Sequence, residues 1–394
     1  MFLSVRPKPY SIPEYSLTGD LLAFLTCGLQ YRYYNKGSLP PSTPVQLWFG
    51  EFIHGLMEEA YREWRDEPKK RRFPWLWESD IRNVEAQIND RLIARGLPPP
   101  PNLFCPFDSS ATTPGFCPDA NHPHKLIASQ RAEMAINTWG MHLFPIIAEA
   151  EVKLKCSRDM PSYHPNLSRS NYYGMKGVID VISSVSIVNA PSGSLLLHYL
   201  NQHSDVQHYF KVSSLDEYEI IVDYKGMRRP SFVDETWKHH EWQILTYSWL
   251  RSQQVGAKQI IAGILIYINE LALSIEDMLA LKNDINQGQT DIMATGKDLE
   301  NIQRWNRRSN LPSLSRTFKE NRSIRIIPVN KSAIGASLSR FDQTVEEIEA
   351  SVLAEIAGVA IRKCWKTNQN IRTCTACDFK NFCPAQKQSK PTVP

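Results

Sequence analysis

The sequence predicts an α/β fold in which a β-rich core containing one helix is surrounded by helical segments on both sides. The chain has 394 residues, of which 42% are hydrophobic and 22% are charged. That composition is typical of globular proteins, and the length is ample to bury a core. The hydrophobic period changes near residue 149, from helical spacing before it to strand-like segments after it. These observations together predict the fold class.

The N-terminal part of the chain is predicted to be helical, because apolar residues recur there at i, i+3 and i+4. Ser16 or Thr18 can cap the first helix, and a proline run follows Gly96 after the third. The predicted helices cover residues 16–36, 46–64, 79–96 and 125–148. A proline- and cysteine-bearing loop is expected over residues 97–124.

The following segments are rich in β-branched and aromatic residues and are bounded by turn formers, which predicts strands. The predicted strands cover residues 149–156, 173–186, 216–226 and 259–268. One helix is expected between them, at 236–254, and another after them, at 340–363. Residues 386–394 form a polar, proline-bearing tail. This order places the β-rich core between about 149 and 268.

Several classes of protein are disfavoured by composition. No run approaches the ~20 apolar residues that cross a bilayer, and the first ten residues lack the apolar stretch of a signal peptide. We therefore expect a cytoplasmic protein without a membrane partner, in which the eight cysteines are not disulfides. The net charge of +4 neither demands nor excludes a nucleic-acid partner. A phosphate-binding G-x4-G-K-[S/T] loop is absent from the sequence, so the chain lacks that NTP-driven motor motif.

Three cysteines near the C-terminus, Cys374, Cys377 and Cys383, have the spacing C-x2-C-x5-C. Two thiolates three positions apart can hold one metal centre, and the third can close the site from a short loop. A tetrahedral zinc site or an iron–sulfur cluster needs a fourth ligand. The candidates are Cys27, Cys105, Cys117, Cys156 and Cys364. From spacing alone, iron–sulfur, zinc and a fortuitous cluster all stay open.

Charged residues interrupt two of the predicted strands. Asp180 lies inside an apolar run, where a carboxylate is costly unless it is paired or binds a metal. The strand period of two places Asp223 and Lys225 on one face of the same strand. Carboxylate oxygens suit Mg²⁺ or Mn²⁺, and a nearby lysine can orient a water or a phosphate oxygen. The pattern therefore fits phosphodiester hydrolysis, while a buried aspartate–lysine ion pair is an equally weighted alternative.

Two predicted helices carry further polar candidates. His54 lies on the second helix, one turn after Gly50, where a lone histidine is more often structural. Gln243 and Tyr247 lie at i and i+4 on one face of the 236–254 helix. Taken singly, none of these residues indicates a function.

Taken in order, the motifs resemble those of the PD-(D/E)XK nuclease superfamily. The resemblance is closest to the RecB-like branch that carries a 4Fe–4S cluster, which includes the AddB nuclease domain and CRISPR-adaptation exonucleases. The order is one cysteine, a histidine, an aspartate, D-x-K, Q-x3-Y and C-x2-C-x5-C. It spans about residues 20–385, with long unassigned stretches between motifs. Four differences from the branch concern Ile179, Asp223, Gly226 and the glycine after Cys27, and none of them removes a ligand.

The resemblance implies a role for each matching residue. His54, Asp180, Asp223 and the carbonyl of Tyr224 would bind Mg²⁺ or Mn²⁺. Lys225 would position the attacking water, and Gln243 and Tyr247 would contact DNA or brace the site. Cys27, Cys374, Cys377 and Cys383 would hold a 4Fe–4S cluster that joins the two ends of the chain. These eleven residues are the predicted catalytic, metal-binding and cluster-binding set.

The resemblance also implies a restriction-endonuclease-like core with a mixed central sheet flanked by helices. Its four predicted parts are N-terminal helices at 1–66, a helical insertion at 67–148, the nuclease core at 149–339 and a C-terminal iron–sulfur region at 340–394. The implied activity is a metal-dependent DNA nuclease, most simply an exonuclease on single strands or DNA ends. The implied partners are DNA and a helicase, CRISPR or repair protein, in DNA repair or antiviral defence. The alternative is a non-catalytic iron–sulfur module that binds DNA ends or a helicase.

Other polar residues are weaker candidates for metal or phosphate binding. Cys105, Cys117, His122 and His124 have ligand types that suit zinc, but not the spacing of a standard finger. Glu149 and Glu151 are interpreted as a solvated strand edge, with a supplementary ligand role for Glu151 as the alternative. Basic residues that could meet phosphates are Lys69, Lys70, Arg71, Arg72, Arg228 and Arg229.

Overall fold

The structure is a computed structural model. It describes residues 12–36, 45–67, 72–106, 125–165, 167–188, 190–212, 215–368, 371–375, 377–380, 383 and 385. The predictions about a zinc site at Cys117, His122 and His124, about Lys69, Lys70 and Arg71, and about the tail at 386–394 lie outside these residues. Cys105 lies within them and is disulfide-bonded, so the expectation that the cysteines form no disulfide is wrong for this residue, and its thiol is not free to bind a metal.

A mixed sheet lies at the centre of the fold and contains six strands in the described residues. The strands are β1 (Glu14–Ser16), β2 (Ile147–Asp159), β3 (Tyr172–Ser186), β4 (Glu217–Lys225), β5 (Ile260–Tyr267) and β6 (Ile324–Pro328). Their order is β1-β3-β4-β5-β6, and β2 pairs with β3. Strand β3 is antiparallel to β2 and β4 and parallel to β1, while β5 is parallel to β4 and antiparallel to β6.

Helices cover both faces of this sheet. They are α1 (Leu22–Thr26), α2 (Gly28–Tyr31), α3 (Val45–Asp66), α4 (Arg82–Ala94), α5 (Ile127–Ala135), α6 (Met141–Leu143), α7 (Leu195–Gln202), α8 (Ser204–Val212), α9 (Thr236–Ser252), α10 (Ile275–Asn286), α11 (Gly296–Arg304), α12 (Arg316–Ser323), α13 (Lys331–Ile356), α14 (Ile361–Cys364) and α15 (Ile371–Thr375). The prediction of an α/β fold with a mixed sheet flanked by helices is confirmed. Among the described residues, no helix is long and apolar enough to cross a membrane.

Two hydrophobic clusters cover the two faces of the sheet. On one face, α3 to α5 and the α7–α8 pair pack against residues such as Val181, Ile220 and Val222. On the other face, α9 and α13 pack against Ile179 and Ile221. A third, smaller cluster joins α10, α11 and α12. The opposed faces place α3 and α9 on either side of the same strands, β3 and β4.

The first predicted helix is interrupted where a continuous one was expected at 16–36. The segment begins as strand β1, and Cys27 has an extended backbone, with φ −165° and ψ 107°, between α1 and α2. The C-terminal region causes this break, because the Leu29 N–H donates to the Lys366 carbonyl at 3.0 Å. Gly28 allows the approach, since a Cβ there would lie 3.1 Å from that same oxygen. A tertiary contact therefore overrides the helical periodicity.

The segment between β5 and the last long helix is more structured than predicted. It contains α10, α11, α12 and the edge strand β6, for which no elements were expected. Helix α10 begins with a capping box between Ser274 and Asp277. Helix α13 begins at Lys331, well before the predicted residue 340, because Asn330 caps it by accepting from the Ala333 N–H at 2.8 Å.

Candidate active site

The candidate site lies where strands β3 and β4 separate. Their antiparallel ladder extends to the Val181–Val222 pair. Beyond that pair, the Tyr224 N–H donates to the Asp180 carboxylate at 2.8 Å. A carboxylate thus takes the place of a main-chain acceptor at the fork between the two strands, and it is nearly buried there. The hydrogen bond helps to satisfy the buried charge.

Helix α3 brings His54 to the same fork. The Nδ1 of His54 lies 3.1 Å from Oδ2 of Asp180, and the imidazole is about one-third exposed, at 32%. The close approach of α3 depends on Gly226, which directly follows β4. A Cβ at Gly226 would lie 3.1 Å from Cδ1 of Phe49 and 3.4 Å from Cα of Gly50. A threonine or serine at this position would therefore push α3, and with it His54, away from Asp180.

Helix α9 completes the site from the other face of the sheet. Lys225 Nζ lies 2.5 Å from Oδ2 of Asp223 and donates to Oε1 of Gln243 at 2.7 Å. The same Gln243 donates from Nε2 to Oδ1 of Asp223 at 3.1 Å and to the hydroxyl of Tyr247 at 3.3 Å. Gln243 therefore contacts both charged side chains of the D-x-K motif and fixes their spacing.

Glu151 is a further candidate for the site. The sequence favoured a solvated strand edge for this residue, with a supplementary ligand role as the alternative. Its neighbours in β2 pair as Ala150–Val181 and Val152–Ile179, so Glu151 lies opposite Asp180. Its φ of +52° is in the left-handed region, which is uncommon for a residue with a side chain. Such backbone often redirects a side chain next to a functional site. Here the ligand atoms of Glu151, His54 and Asp180 all lie within 4.8 Å of one another.

The charges in the fork shift one another's pKa values. Burial alone would lower the pKa of His54, but the Asp180 carboxylate and the more distant Asp223 raise it to about 9. Burial alone would raise the pKa of Asp180, but His54 and Lys225 hold it below its ordinary value. Burial raises the pKa of Asp223, and Lys225 offsets that effect only in part. The site therefore concentrates negative charge that its own cations balance incompletely.

Glu151 shows the strongest sign of that excess charge. Burial and the nearby carboxylates of Asp180 and Glu58 raise its pKa to about 7. A bound divalent cation would relieve this repulsion, because it attracts each carboxylate that the others repel. One imidazole nitrogen and several carboxylate oxygens also form the donor set that suits Mn²⁺ or Mg²⁺. The residues present therefore fit a divalent cation.

The spacing of the ligand atoms is also compatible with such an ion. Ligands of Mg²⁺ at 2.0–2.1 Å lie about 3–4 Å from one another in an octahedral arrangement. Atoms within 4.8 Å of one another need only a small inward movement to reach that geometry. Asp223 faces Lys225 and Gln243 on the other side of the fork.

The four predicted cluster cysteines lie in one region, where the C-terminal segment packs against α1 and α2. Asn368 donates to the Thr26 carbonyl at 2.6 Å, and the Phe379 ring lies 4.8 Å from the rings of both Tyr33 and Tyr34. The tail itself turns tightly, with the Cys377 N–H donating to the Cys374 carbonyl at 3.2 Å. The break at Cys27 thus faces the segment that carries the other thiols.

The effect of neighbouring thiols on the pKa of Cys374 and Cys377 supports that placement. Burial raises the pKa of Cys374, and the neighbouring Cys383 and Cys27 raise it further. Burial likewise raises the pKa of Cys377, with Cys27 and Cys383 adding to the effect. Among the candidates for the fourth ligand that the structure describes, Cys27 is therefore the one that acts on both Cys374 and Cys377. Cys156 lies on β2, and Cys364 lies on α14 with its thiol directed to the Ala360 carbonyl at 3.5 Å.

The arginines expected to meet phosphates after the D-x-K strand are engaged elsewhere. Arg228 forms an ion pair with Asp284 at 2.5 Å. Arg229 is buried and pairs with Asp291 while donating to the Ile324 carbonyl. Both arginines therefore anchor the segment that carries α10 to α12, and the prediction that they meet phosphates near the site is wrong for this structure.

No protein-family model matches the chain, and no curated protein matches it. The chemistry of the site itself is therefore the basis for a functional assignment. The structure brings His54, Asp180, Asp223, Lys225, Gln243 and Tyr247 into one contiguous network, with Glu151 added to it.

Proposed function

We propose that this chain is a metal-dependent DNA nuclease of the PD-(D/E)XK superfamily, RecB-like branch, with a restriction-endonuclease-like core. The observation that carries the proposal is the convergence of an imidazole, three carboxylates and one ammonium group at the fork between β3 and β4. These residues come from four separated stretches of the chain. A buried ion pair alone would require neither His54 nor Glu151 beside Asp180.

In this proposal His54, Glu151 and Asp180 hold the divalent cation, together with Asp223 and the Tyr224 carbonyl. The cation supplies Lewis-acid activation and neutralises charge on the phosphodiester. Lys225 donates to a phosphate oxygen or to the attacking water from a position that Asp223 and Gln243 fix. Water attacks phosphorus and gives up a proton to solvent, the bond between phosphorus and the leaving deoxyribose oxygen breaks, and that oxygen takes up a proton from solvent. Tyr247 braces Gln243.

We also propose that Cys27, Cys374, Cys377 and Cys383 hold a 4Fe–4S cluster. Cys27 and Cys383 raise the pKa of both Cys374 and Cys377, which supports this assignment because it requires that the four residues lie close together. A cluster at this place would join residues near the two ends of the chain, and its binding energy would add to the stability of the folded state. A cytoplasmic site of action, where thiols stay reduced, belongs to the same proposal.

A cleavage assay tests the nuclease proposal. The purified protein should degrade end-labelled single-stranded DNA with Mn²⁺ or Mg²⁺, and EDTA should stop the reaction. Asp180→Asn should reduce the rate by roughly 10³-fold or more, because it removes a ligand and the partner of His54. Asp205→Asn, an exposed change on α8, is the matched control and should cleave normally.

The pattern of cleavage also decides between the two classes of function. Equal activity of Asp180→Asn and the control would overturn the catalytic assignment. DNA binding without cleavage by the wild-type protein would instead favour the non-catalytic module that binds DNA ends or a helicase. Circular dichroism of each variant establishes that the loss of cleavage is not a loss of folding.

The cluster is tested by metal analysis of anaerobically purified protein. We expect a brown protein that contains iron and acid-labile sulfide, and loss of both in Cys27→Ser and Cys374→Ser. The controls are Cys156→Ser and Cys364→Ser, which should keep the colour and the iron. Stoichiometric zinc in place of iron would show that the thiols form a zinc site. Metal-free, fully folded protein would exclude both.

A further inference from the structure

One exposed face of the β2–β3 hairpin begins at the candidate site. Side chains alternate across a strand, so residues opposite one another on one face recur at every second position. The pairs that continue from Glu151 and Asp180 are Lys153–Val178, Lys155–Lys176 and Ser157–Gly174. The opposite face of the hairpin, with Tyr173, Met175 and Ile179, is buried under α9 and α13.

This face carries a row of lysines. Lys153 and Lys155 are exposed on β2, and Lys176 lies opposite Lys155 on β3 with 43% of its side chain exposed. At about 3.3 Å per residue, the lysines of β2 lie roughly 7 and 13 Å along the strand from Glu151. Lys153 forms no ion pair within the part of the chain that the structure describes.

One carboxylate, that of Glu14, partly neutralises the positive charge of the lysine row. Glu14 on β1 contacts Lys155 at 3.2 Å and Lys176 at 3.5 Å. The place for this side chain is made by Gly174, where a Cβ would lie 3.2 Å from Cγ of Glu14. A second acid, Asp159, lies exposed at the far end of the same face, opposite Tyr172. The three lysines outnumber these two acids, so the face keeps an excess of positive charge while Glu14 aligns two of its ammonium groups.

We propose that the exposed face of the β2–β3 hairpin is the track along which single-stranded DNA approaches the candidate site. The inference rests on the proposed nuclease function, which it extends by naming the surface that holds the substrate. The lysines bind successive phosphates of one backbone, and the strand then enters the fork where Asp180 and Lys225 lie. Positive charge directly beside a carboxylate-rich site is the complement of a polyanion that must reach it.

The dimensions of the row favour one strand over a duplex. Neighbouring β-strands are about 4.8 Å apart, so the charged row is one hairpin wide. A duplex presents two backbones across grooves of about 6 and 12 Å, and a row this narrow meets only one of them. Tyr172 and Val178, with 43% and 39% of their surface exposed on the same face, offer contacts for unstacked bases.

Binding by wild-type protein in EDTA tests the track without cleavage. The test variant is Lys153→Gln/Lys155→Gln, and the control is Lys297→Gln/Lys331→Gln, which removes the same charge from exposed positions on α11 and α13. Each phosphate contact contributes roughly five-fold at about 0.1 M salt, so the test variant should bind a fluorescent single strand about 25-fold more weakly. The slope of log affinity against log salt should fall by about 1.4.

Glu14→Gln provides a test of opposite sign. It frees Lys155 and Lys176 from their carboxylate, and should tighten binding of the single strand by about three-fold. It changes no residue of the proposed catalytic machinery. Unchanged or weaker binding by Glu14→Gln would contradict the track, because the lysines would then not be meeting phosphates.

The outcomes separate this inference from the proposed function. Equal losses in the test and control variants would overturn the track, since only general charge would matter. Equal weakening for single strands and for a duplex of the same sequence would overturn the single-strand assignment. A wild-type protein that binds through these lysines but never cleaves would keep the track and refute the nuclease. If the hairpin variants cleaved DNA at the wild-type rate, the nuclease proposal would stand and the track would be refuted.

Discussion

At the scale of single residues, Asp180 is the group on which the candidate site depends. It accepts from the Tyr224 N–H, pairs with His54 and lies opposite Glu151 across the β2–β3 hairpin. Its charge raises the pKa of His54 and of Glu151. A metal cation that replaces the proton on His54 would therefore be attracted by Asp180, the carboxylate whose charge favours that proton.

His54→Gln should change stability in a way that depends on pH. The pKa of His54 is raised from 6.5 to about 9 in the folded protein, so protonation stabilises the fold. This contribution is fully present below pH 6.5 and is lost as pH rises through about 9. In EDTA, the variant should lose about 1–3 kcal/mol of unfolding free energy near pH 6, after allowance for partial exposure, and little above pH 9.

Denaturant unfolding at the two pH values measures this effect. His208→Gln, an exposed histidine on α8, is the control and should match the wild-type protein at both. A loss for His54→Gln that is the same at both pH values would mean that packing, and not the ion pair, carries its contribution.

Glu151→Gln should have the opposite pH dependence. The pKa of Glu151 is raised from 4.5 to about 7, so ionisation of the carboxylate opposes folding as pH rises from about 4.5 through 7. Without metal, the variant should be more stable than wild type by about 1–3 kcal/mol near pH 8 and equal to it below pH 4.5. With Mn²⁺ the wild-type protein should become the more stable of the two, because its Glu151 carboxylate contributes to binding the ion. Thermal unfolding with and without Mn²⁺ gives the comparison, and a variant that gains as much from Mn²⁺ as wild type would exclude Glu151 as a ligand.

The sequence could predict Asp180, Asp223 and Lys225 because charged residues inside apolar strands are conspicuous. Glu151 could not be selected in the same way. Its approach to Asp180 depends on the β2–β3 register and on a left-handed φ, and neither is visible in the sequence around it. Arg228 and Arg229 were predicted to meet phosphates, but both form ion pairs within the protein. The sequence could not show this, because the carboxylates that pair with them lie far along the chain.

At the scale of elements, α9 is held close to the sheet by two glycines. A Cβ at Gly177 on β3 would lie 2.6 Å from Cε1 of Tyr247, and one at Gly263 on β5 would lie 2.1 Å from Cγ2 of Ile244. Ile244 directly follows Gln243, so the depth of this packing sets the position of the amide that contacts Asp223 and Lys225.

Gly263→Ala should therefore damage both stability and the site. The added methyl overlaps Ile244 and forces α9 outward, at a cost of about 1–3 kcal/mol in unfolding free energy. Cleavage should fall further than the loss of folded protein explains, because Gln243 moves with the helix. The control is Gly335→Ala in α13, where no atom lies within 4 Å of the new methyl. It should stabilise the protein by about 0.5–1 kcal/mol, and an equal effect of the two changes would contradict this packing.

Element boundaries were predictable where hydrophobic periodicity was strong and local. Strands β2 to β5 and helices α3 and α9 fall close to the predicted positions. Strand β6 escaped prediction because it has only five residues, and α10 to α12 escaped it because their apolar faces meet mainly one another. The break at Cys27 depends on a contact with Lys366 that no local pattern contains.

At the scale of the whole molecule, α13 ties together parts of the chain that lie far apart in sequence. Glu355 pairs with Arg32, Asp342 with Arg158, and Glu349 with Arg169. These pairs link the N-terminal segment, the β2–β3 connection and the C-terminal helix. The first pair is the most buried, with Arg32 fully covered and Glu355 also accepting from Trp365 Nε1 at 2.7 Å.

Glu355→Ala should be strongly destabilising, because Arg32 loses its buried carboxylate. Removing one member of such a pair costs about 3–5 kcal/mol, measured as unfolding free energy in denaturant. Replacing both members by apolar residues, as Arg32→Met/Glu355→Leu, should recover most of that loss. A double variant no more stable than Glu355→Ala would show that the ion pair itself, and not the buried charge, sets the cost.

The pairing of Arg32 with Glu355 also has a consequence for biosynthesis. The ribosome adds Glu355 323 residues after Arg32, so the Arg32 guanidinium has no access to this carboxylate until that whole stretch has been made. Until Glu355 has been made, Arg32 therefore lacks the ion pair that it forms in the folded protein. A chain that is cut before Glu355 should therefore suffer the same loss of stability as Glu355→Ala, because its Arg32 guanidinium lacks the same carboxylate.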